Sequence, residues 1–90
     1  MIRFHVFVYG IVQSVGFRNY IKIKANKLNI KGWIKNLEDG GIEAVFEGDE
    51  NNVNDIIEHC KNGPYLAKVD NIIVKEEDYE NEFKEFKIRF

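Results

Sequence analysis

Ile2-Arg3-Phe4-His5-Val6-Phe7-Val8-Tyr9-Gly10-Ile11-Val12-Gln13-Ser14-Val15-Gly16-Phe17-Arg18 is the stretch on which the fold turns. Ile2, Phe4, Val6 and Val8 alternate with Arg3, His5, Phe7 and Tyr9, the period-two pattern of a β-strand. The second set is itself partly apolar, so both faces of this strand are expected to be covered. A loop runs from Gly10 to Gly16. Phe17, Ile21, Ala25 and Leu28 then recur at helical spacing, which predicts a helix of about three turns with that stripe buried. A glycine-bearing loop between a strand and a helix mouth turns successive backbone N–H groups toward one point, and such a nest suits a small anion. Arg18, just inside the helix, adds a planar fork that matches phosphate or carboxylate oxygens. The helix dipole favours acids in the first turn, and a bound anion would offset the misfit of an arginine there. The segment therefore points to an oxyanion, and to a phosphoryl group above all.

Outward from this unit, Asn29 and Gly32 are stop signals for the helix. Gly32 to Leu37 reads as a second strand, and Glu38-Asp39-Gly40-Gly41 as a tight turn in which Asp-Gly supplies positive φ. Ile42, Ala44 and Phe46 alternate with Gly41, Glu43, Val45 and Glu47 in a third strand. Val53, Ile56, Ile57 and Cys60 mark a second amphipathic helix, with Asp49 as its N-cap and Gly63-Pro64 as its stop. Ala67 and Val69 fall on one parity and Ile72 and Val74 on the other, which predicts a fourth strand with a bulge near Asp70-Asn71. Glu76 to Glu82 reads as an acidic exposed loop, and Phe86, Ile88 and Phe90 as a short closing strand.

The order is β-α-β-β-α-β plus a final strand. Each β-α-β half crosses over right-handedly, which places both helices on one face of the sheet. The expected class is α+β, a ferredoxin-like sandwich with a mainly antiparallel sheet. The antiparallel pairing of strands one and three is inferred from that fold.

Ninety residues leave room for one core, so residues 1–90 are expected to form a single domain. With 44% hydrophobic and 13% aromatic residues the chain can close that core, which argues against a disordered chain. A net charge of −2 argues against a general nucleic-acid binder. The charge is uneven, with seven bases against three acids in residues 1–45 and six against twelve in residues 46–90. The positive half could draw an anion to the loop, although a solvated helix face accounts for the same lysines. The lone cysteine, Cys60, excludes an internal disulfide and suits a reducing compartment, so the cytoplasm is the expected location. Arg3 and His5 interrupt the first apolar run, which therefore lacks a secretory core, and no stretch reaches the roughly 20 apolar residues of a membrane span. Cys60 falls on a helix stripe and is expected in the core. His5 and His59 stand alone, without a catalytic dyad or a metal cluster. Trp33 and Tyr20 are expected to pack rather than to stack on a ligand, and Lys35 to be a solvated strand residue. Asn36 is the oddity, because asparagine is poor in strands and calls for either a turn or a site role.

A second cluster reinforces the first: Gly32-Trp33-Ile34-Lys35-Asn36-Leu37-Glu38-Asp39-Gly40-Gly41-Ile42, followed by Gly48. Together the two resemble the signatures of the acylphosphatase family. The first resembles its phosphate loop, with Gly10 two residues before Val12-Gln13 and then Val15-Gly16-Phe17-Arg18. The second resembles its Gly-aromatic-x-x-Asn-x-x-x-Gly motif. Gly63-Pro64-x-x-Ala67-x-Val69 and Phe86-x-Ile88-Arg89 are also similar, so the resemblance runs from about Val6 to Phe90.

The resemblance implies hydrolysis of an acyl phosphate to a carboxylate and inorganic phosphate, without cofactor or metal. Arg18 would bind the phosphoryl group, backbone N–H groups of Val12, Gln13, Ser14, Val15, Gly16 and Phe17 would cradle its oxygens, and Asn36 would hold the attacking water in line. It further implies that the substrate phosphate itself assists in activating that water. The expected partners are a small acyl phosphate, and phosphate as product and inhibitor, for a monomer that binds neither nucleic acid nor membrane. Two alternatives stay open on the residues: an anion-sensing module of the same fold that turns nothing over, and a nucleic-acid-binding sheet. The lack of paired exposed aromatics on central strands weighs against the latter. Gln13 could orient the loop rather than meet substrate. Ser14 departs from the family's usual glycine. If that position needs positive φ, serine adds ~1 kcal/mol or more of strain; alternatively its hydroxyl donates to phosphate. Ile34 and Ile42 replace smaller β-branched residues as packing variants.

Overall fold

The computed structural model describes residues Met1–Phe90. Its elements follow the expected order: β1 (Ile2–Ile11), α1 (Phe17–Lys27), β2 (Lys31–Asn36), β3 (Ile42–Gly48), α2 (Glu50–Asn62), β4 (Lys68–Glu77) and β5 (Phe86–Arg89). The five strands form one sheet in the order β4-β1-β3-β2-β5. β1 lies between β3 and β4 and is antiparallel to both, and β2 is antiparallel to β3. β5 pairs with β2 in parallel, from Gly32 opposite Phe86 to Lys35 opposite Arg89. Both helices cover one face in the expected ferredoxin-like sandwich, and neither is long and apolar enough to cross a membrane.

The core lies between sheet and helices. Val6 and Val8 of β1, Ala44 and Phe46 of β3 and Ile34 of β2 meet Phe17, Ile21 and Ala25 of α1 and Val53, Ile56 and Cys60 of α2. Each set is the apolar parity or helical stripe visible in the sequence. Burial in this apolar layer raises the Cys60 thiol pKa well above its ordinary value, so the sulfhydryl stays protonated and inert. Asp49 caps α2 by accepting from the Asn51 N–H at 3.4 Å, and Gly63, with φ 68°, closes it by donating to the His59 carbonyl at 2.8 Å.

The expected bulge is present: Tyr9 faces Asn71 and Gly10 faces Val69, which leaves Asp70 as the extra residue of β4. Gly10 is required there. Its φ is 135°, and a Cβ at this position would lie 2.1 Å from the Lys68 carbonyl oxygen. The bulge also lets β1 continue to Ile11, so the loop begins at Val12 rather than at Gly10. α1 stops at Lys27, with Leu28 as its C-cap and Asn29 left-handed at φ 54°.

The acidic segment departs from the sequence expectation. Glu76 and Glu77 belong to β4, and the segment after them folds over the helix-free face. The backbone N–H groups of Glu80 and Glu82 each donate to the carboxylate of the buried Glu47 at 3.0 Å. Arg3 is ion-paired to Glu47, Glu77, Glu80 and Glu82. A buried carboxylate is tolerable where donors and a guanidinium surround it. Elsewhere on that face Trp33 is flanked by Arg89 at 4.5 Å and Lys35 at 5.6 Å, and Lys35 pairs with Glu43 at 3.7 Å.

Candidate active site

β1 and α1 are joined by a loop, Val12 to Gly16, whose backbone alternates in hand. Ser14 has φ 61° and Gly16 φ 78°, while Val15 between them is not positive. Alternation of this kind turns consecutive N–H groups to one side. None of the backbone hydrogen bonds made outside the helices and strands uses an N–H of Gln13, Ser14, Val15 or Gly16 as donor. Gly16 is the N-cap of α1, no side chain caps that end, and the first turn holds no acid. The free donors of the helix mouth thus add to those of the loop, and the dipole adds positive potential. A Cβ on Gly16 would meet nothing within 4 Å, so glycine serves here for its φ and not for space.

Gln13 fastens this loop to its surroundings. Its side-chain amide donates to the Leu37 carbonyl at 2.7 Å and to the Gly41 carbonyl at 2.9 Å. Both carbonyls belong to the β2–β3 turn, which is itself closed by Leu37 N–H on Gly41 O at 2.8 Å and by Gly41 N–H on Asp39 Oδ1 at 2.9 Å. One side chain therefore sets the distance between the nest and the end of β2, where Asn36 sits.

Arg18 leaves the first turn of α1 toward β5. Its Nη1 donates to the Arg89 carbonyl at 3.4 Å, and its guanidinium carbon lies 4.9 Å from the centre of the Phe90 ring. Asn36 reaches the same hollow from β2. Its Oδ1 is buried and has no protein donor. A buried acceptor without a donor costs on the order of 1–3 kcal/mol, a cost that structures retain where function needs the group. Rotation about the terminal bond of the carboxamide exchanges donor and acceptor, so the group can present either to a ligand.

The hollow measures about 170 Å³. Val12, Ser14 and Gly16 of the loop, Phe17, Arg18 and Asn19 of the helix mouth and Asn36 of β2 line it, with Ile88 and Phe90 from the β5 side. That is room for a tetrahedral oxyanion and a water beside it. A larger hollow of about 310 Å³ lies over Trp33, where Lys84, Lys87 and Arg89 alternate with Glu82 and Glu85. Charge of both signs makes that one a poor anion trap, and the nest is not part of it.

Of the expected site residues, Val12, Ser14, Gly16, Phe17, Arg18 and Asn36 come together around one hollow. Gln13 and Val15 do not line it. The side chain of Gln13 instead ties the loop to the β2–β3 turn. Asn19, Ile88 and Phe90 were not anticipated as site residues. Asn19 could have been found as the neighbour of Arg18 in the same helical turn. Ile88 and Phe90 reach the site only through the parallel β2–β5 pairing, for which no local signal exists.

The family model described as Acylphosphatase matches residues 4–88. An acylphosphatase of Geobacter metallireducens is 42% identical over 89 residues, covering 99% of this chain and 96% of that protein. One from Pelotomaculum thermopropionicum is 46% identical over 88 residues, covering 98% and 96%. The crystal structure of acylphosphatase from Bacillus subtilis superposes with a TM-score of 0.96 at 37% identity, over the full length of both chains. With the nest, the helix-mouth arginine and the strand asparagine occupying the positions of the two signature clusters, and with relatives of this closeness along nearly the whole length, the chain belongs to the acylphosphatase family.

Proposed function

We propose that residues 1–90 act as one acylphosphatase domain that hydrolyses the carboxyl–phosphate bond of acyl phosphates, releasing a carboxylate and inorganic phosphate. The observation that carries the reading is convergence. Arg18 on a helix, Asn36 on a strand and the alternating-hand loop line the same small hollow.

The chemistry demands little else. The leaving carboxylate has a conjugate acid of pKa roughly 4, so it departs without a strong general acid. Phosphoryl transfer passes through a loose transition state with charge spread over the equatorial oxygens. The loop N–H groups and the Arg18 guanidinium hold those oxygens, and their fixed positive potential grows in effect as charge develops. Asn36 orients a water on the side opposite the leaving carboxylate, which replaces a bimolecular encounter with a positioned one. The water oxygen forms its bond to phosphorus as the phosphorus–carboxylate bond breaks. The electron pair leaves with the carboxylate, and the water proton passes to a phosphoryl oxygen. Fully buried Cys60 takes no part, and its free thiol suits a reducing compartment such as the cytoplasm.

Turnover of acetyl phosphate tests the reading. Removing a single electrostatic donor typically lowers rate by 10² to 10³. Arg18→Gln is expected to lose at least that much in kcat/KM, and Asn36→Ala to lose chiefly kcat, with folding retained by circular dichroism. Full activity in both variants would refute the assigned site. A wild-type protein that phosphate stabilises against heat, yet that leaves acetyl phosphate intact, would be a sensor and not an enzyme.

A further inference from the structure

Asn36 can hold a water in line only while the β2–β3 turn, which begins one residue after it, stays in place. Resting on the acyl-phosphate reading above, we propose that Tyr9, which does not line the hollow, is a positioning residue for that reaction: its ring backs Gly41 and so fixes the turn next to Asn36.

Three observations lead there. The first is placement. Val8 is buried in the core, so Tyr9 points to the helix-free face, and it stands one step beyond the paired Val8 and Ile42, level with Gly41. The second is contact. A Cβ added to Gly41 would lie 2.5 Å from Tyr9 Cε1 and 2.8 Å from Cδ1, and the φ of Gly41 is not positive. Glycine at 41 therefore admits the ring and serves no turn conformation. The third is connection. Gly41 is buried and knots the turn: its carbonyl accepts from the Gln13 amide and the Leu37 N–H, and its own N–H donates to Asp39 Oδ1. Leu37 directly follows Asn36, which is itself paired with Ile42. The turn is thus tied by Gln13 and braced by Tyr9. Without the brace the turn gains freedom to move, and Asn36 moves with it. The nest and Arg18 belong to the loop and to α1, so their grip on phosphate does not pass through the ring.

The test measures acetyl phosphate kinetics, with inorganic phosphate as competitive inhibitor, on the wild type, Tyr9→Phe, Tyr9→Leu and Tyr9→Ala. Misplacing a reacting group by about 1 Å can cost on the order of 10²-fold in rate. Tyr9→Leu and Tyr9→Ala are expected to lower kcat roughly tenfold, while KM and the phosphate inhibition constant stay within about twofold of wild type. Tyr9→Phe keeps the ring and is expected to keep kcat. Circular dichroism shows which variants fold, and Tyr9→Leu, which retains apolar bulk on β1, decides the matter if Tyr9→Ala does not. Wild-type kcat in folded Tyr9→Leu overturns the inference and leaves the acyl-phosphate reading intact. A loss shared equally by kcat and phosphate affinity overturns it too, because the nest would then have moved as well. So does a loss in Tyr9→Phe as large as that in Tyr9→Leu, because the ring would not be the brace. A wild type that leaves acetyl phosphate intact removes the acyl-phosphate reading and the inference with it.

Discussion

At the residue scale, Ser14 concentrates the tension between stability and site. A non-glycine residue at φ 61° is strained by roughly 1–2 kcal/mol, because its Cβ crowds the following carbonyl. Glycine relieves that strain but gives the unfolded chain more freedom, which returns about 0.5–1 kcal/mol. The balance favours glycine by about 0.5 kcal/mol, so Ser14→Gly is expected to raise Tm by roughly 2–4 °C for a chain of this length. Ser14→Ala separates the second possibility, since it keeps the strain and removes only the hydroxyl. If that hydroxyl donates to phosphate, Ser14→Ala weakens competitive inhibition by phosphate several-fold without improving Tm. A Ser14→Gly protein melting below the wild type would show that the loop does not hold position 14 under strain. Arg18 and Asn36 were legible from sequence for a related reason. Each sits badly in its element, a base at a positive helix end and an amide in a strand, and such misfits survive where a site needs them. Ile88 and Phe90 fit a closing strand perfectly well, so nothing in their local pattern advertised the hollow.

At the scale of elements, the hinge of the site is the bond pair that Gln13 makes across to the β2–β3 turn. Leu37 O and Gly41 O each keep one other donor, Gly40 N–H and Leu37 N–H respectively, so losing the amide leaves neither carbonyl orphaned. Gln13→Ala is therefore expected to cost about 1–3 kcal/mol for its two hydrogen bonds, and to lower kcat/KM because nest and Asn36 are no longer held in register. Gln13→Glu should be worse, since a carboxylate would press an acceptor against two carbonyls. Melting curves and acetyl phosphate kinetics on both variants check the order. If Gln13→Glu melts as the wild type does, the clamp is not a structural tie. The elements themselves were legible because their periods are clean: alternation in β1 and β3, the stripes of Phe17-Ile21-Ala25 and Val53-Ile56-Ile57-Cys60, and the parity switch that became the bulge at Asp70. The pairing of β5 with β2 was not, because a parallel neighbour is chosen by packing of Phe86 against Phe46, with ring centres 5.6 Å apart, and not by any turn. The acidic run misled for the same reason. Its solvated composition conceals that its backbone satisfies Glu47 across the sheet.

Across the whole molecule, the two faces of the sheet divide the work. One packs the apolar core beneath the helices, and the other is held by charge. On that second face His5 stands between two carboxylates, Nε2 at 2.6 Å from Glu43 and Nδ1 at 3.0 Å from Glu77, and Glu77 also accepts from Arg3 Nε at 3.0 Å. The hydrogen bond from His5 holds the Glu77 carboxyl below the usual range, partial burial opposes it, and the bond from Arg3 adds to the depression. A carboxyl whose folded pKa is lowered stabilises the fold fully above its ordinary value of 4.5, and that contribution is lost as pH falls below 4.5 through the folded value. Near neutral pH the wild type is thus expected to melt above Glu77→Gln, and the gap to narrow only below pH 4.5, closing once the carboxyl is protonated in the folded state as well. Because the Glu77 side chain is 39% exposed, solvent screens these pairs, and added salt should shrink the gap at neutral pH as well. Thermal melts of both proteins from neutral pH downward, at low and high salt, provide the comparison. A gap that widens as pH falls below 4.5 would mean that Glu77 stabilises the sheet in its protonated form, and the ionic account of this face would have to be abandoned.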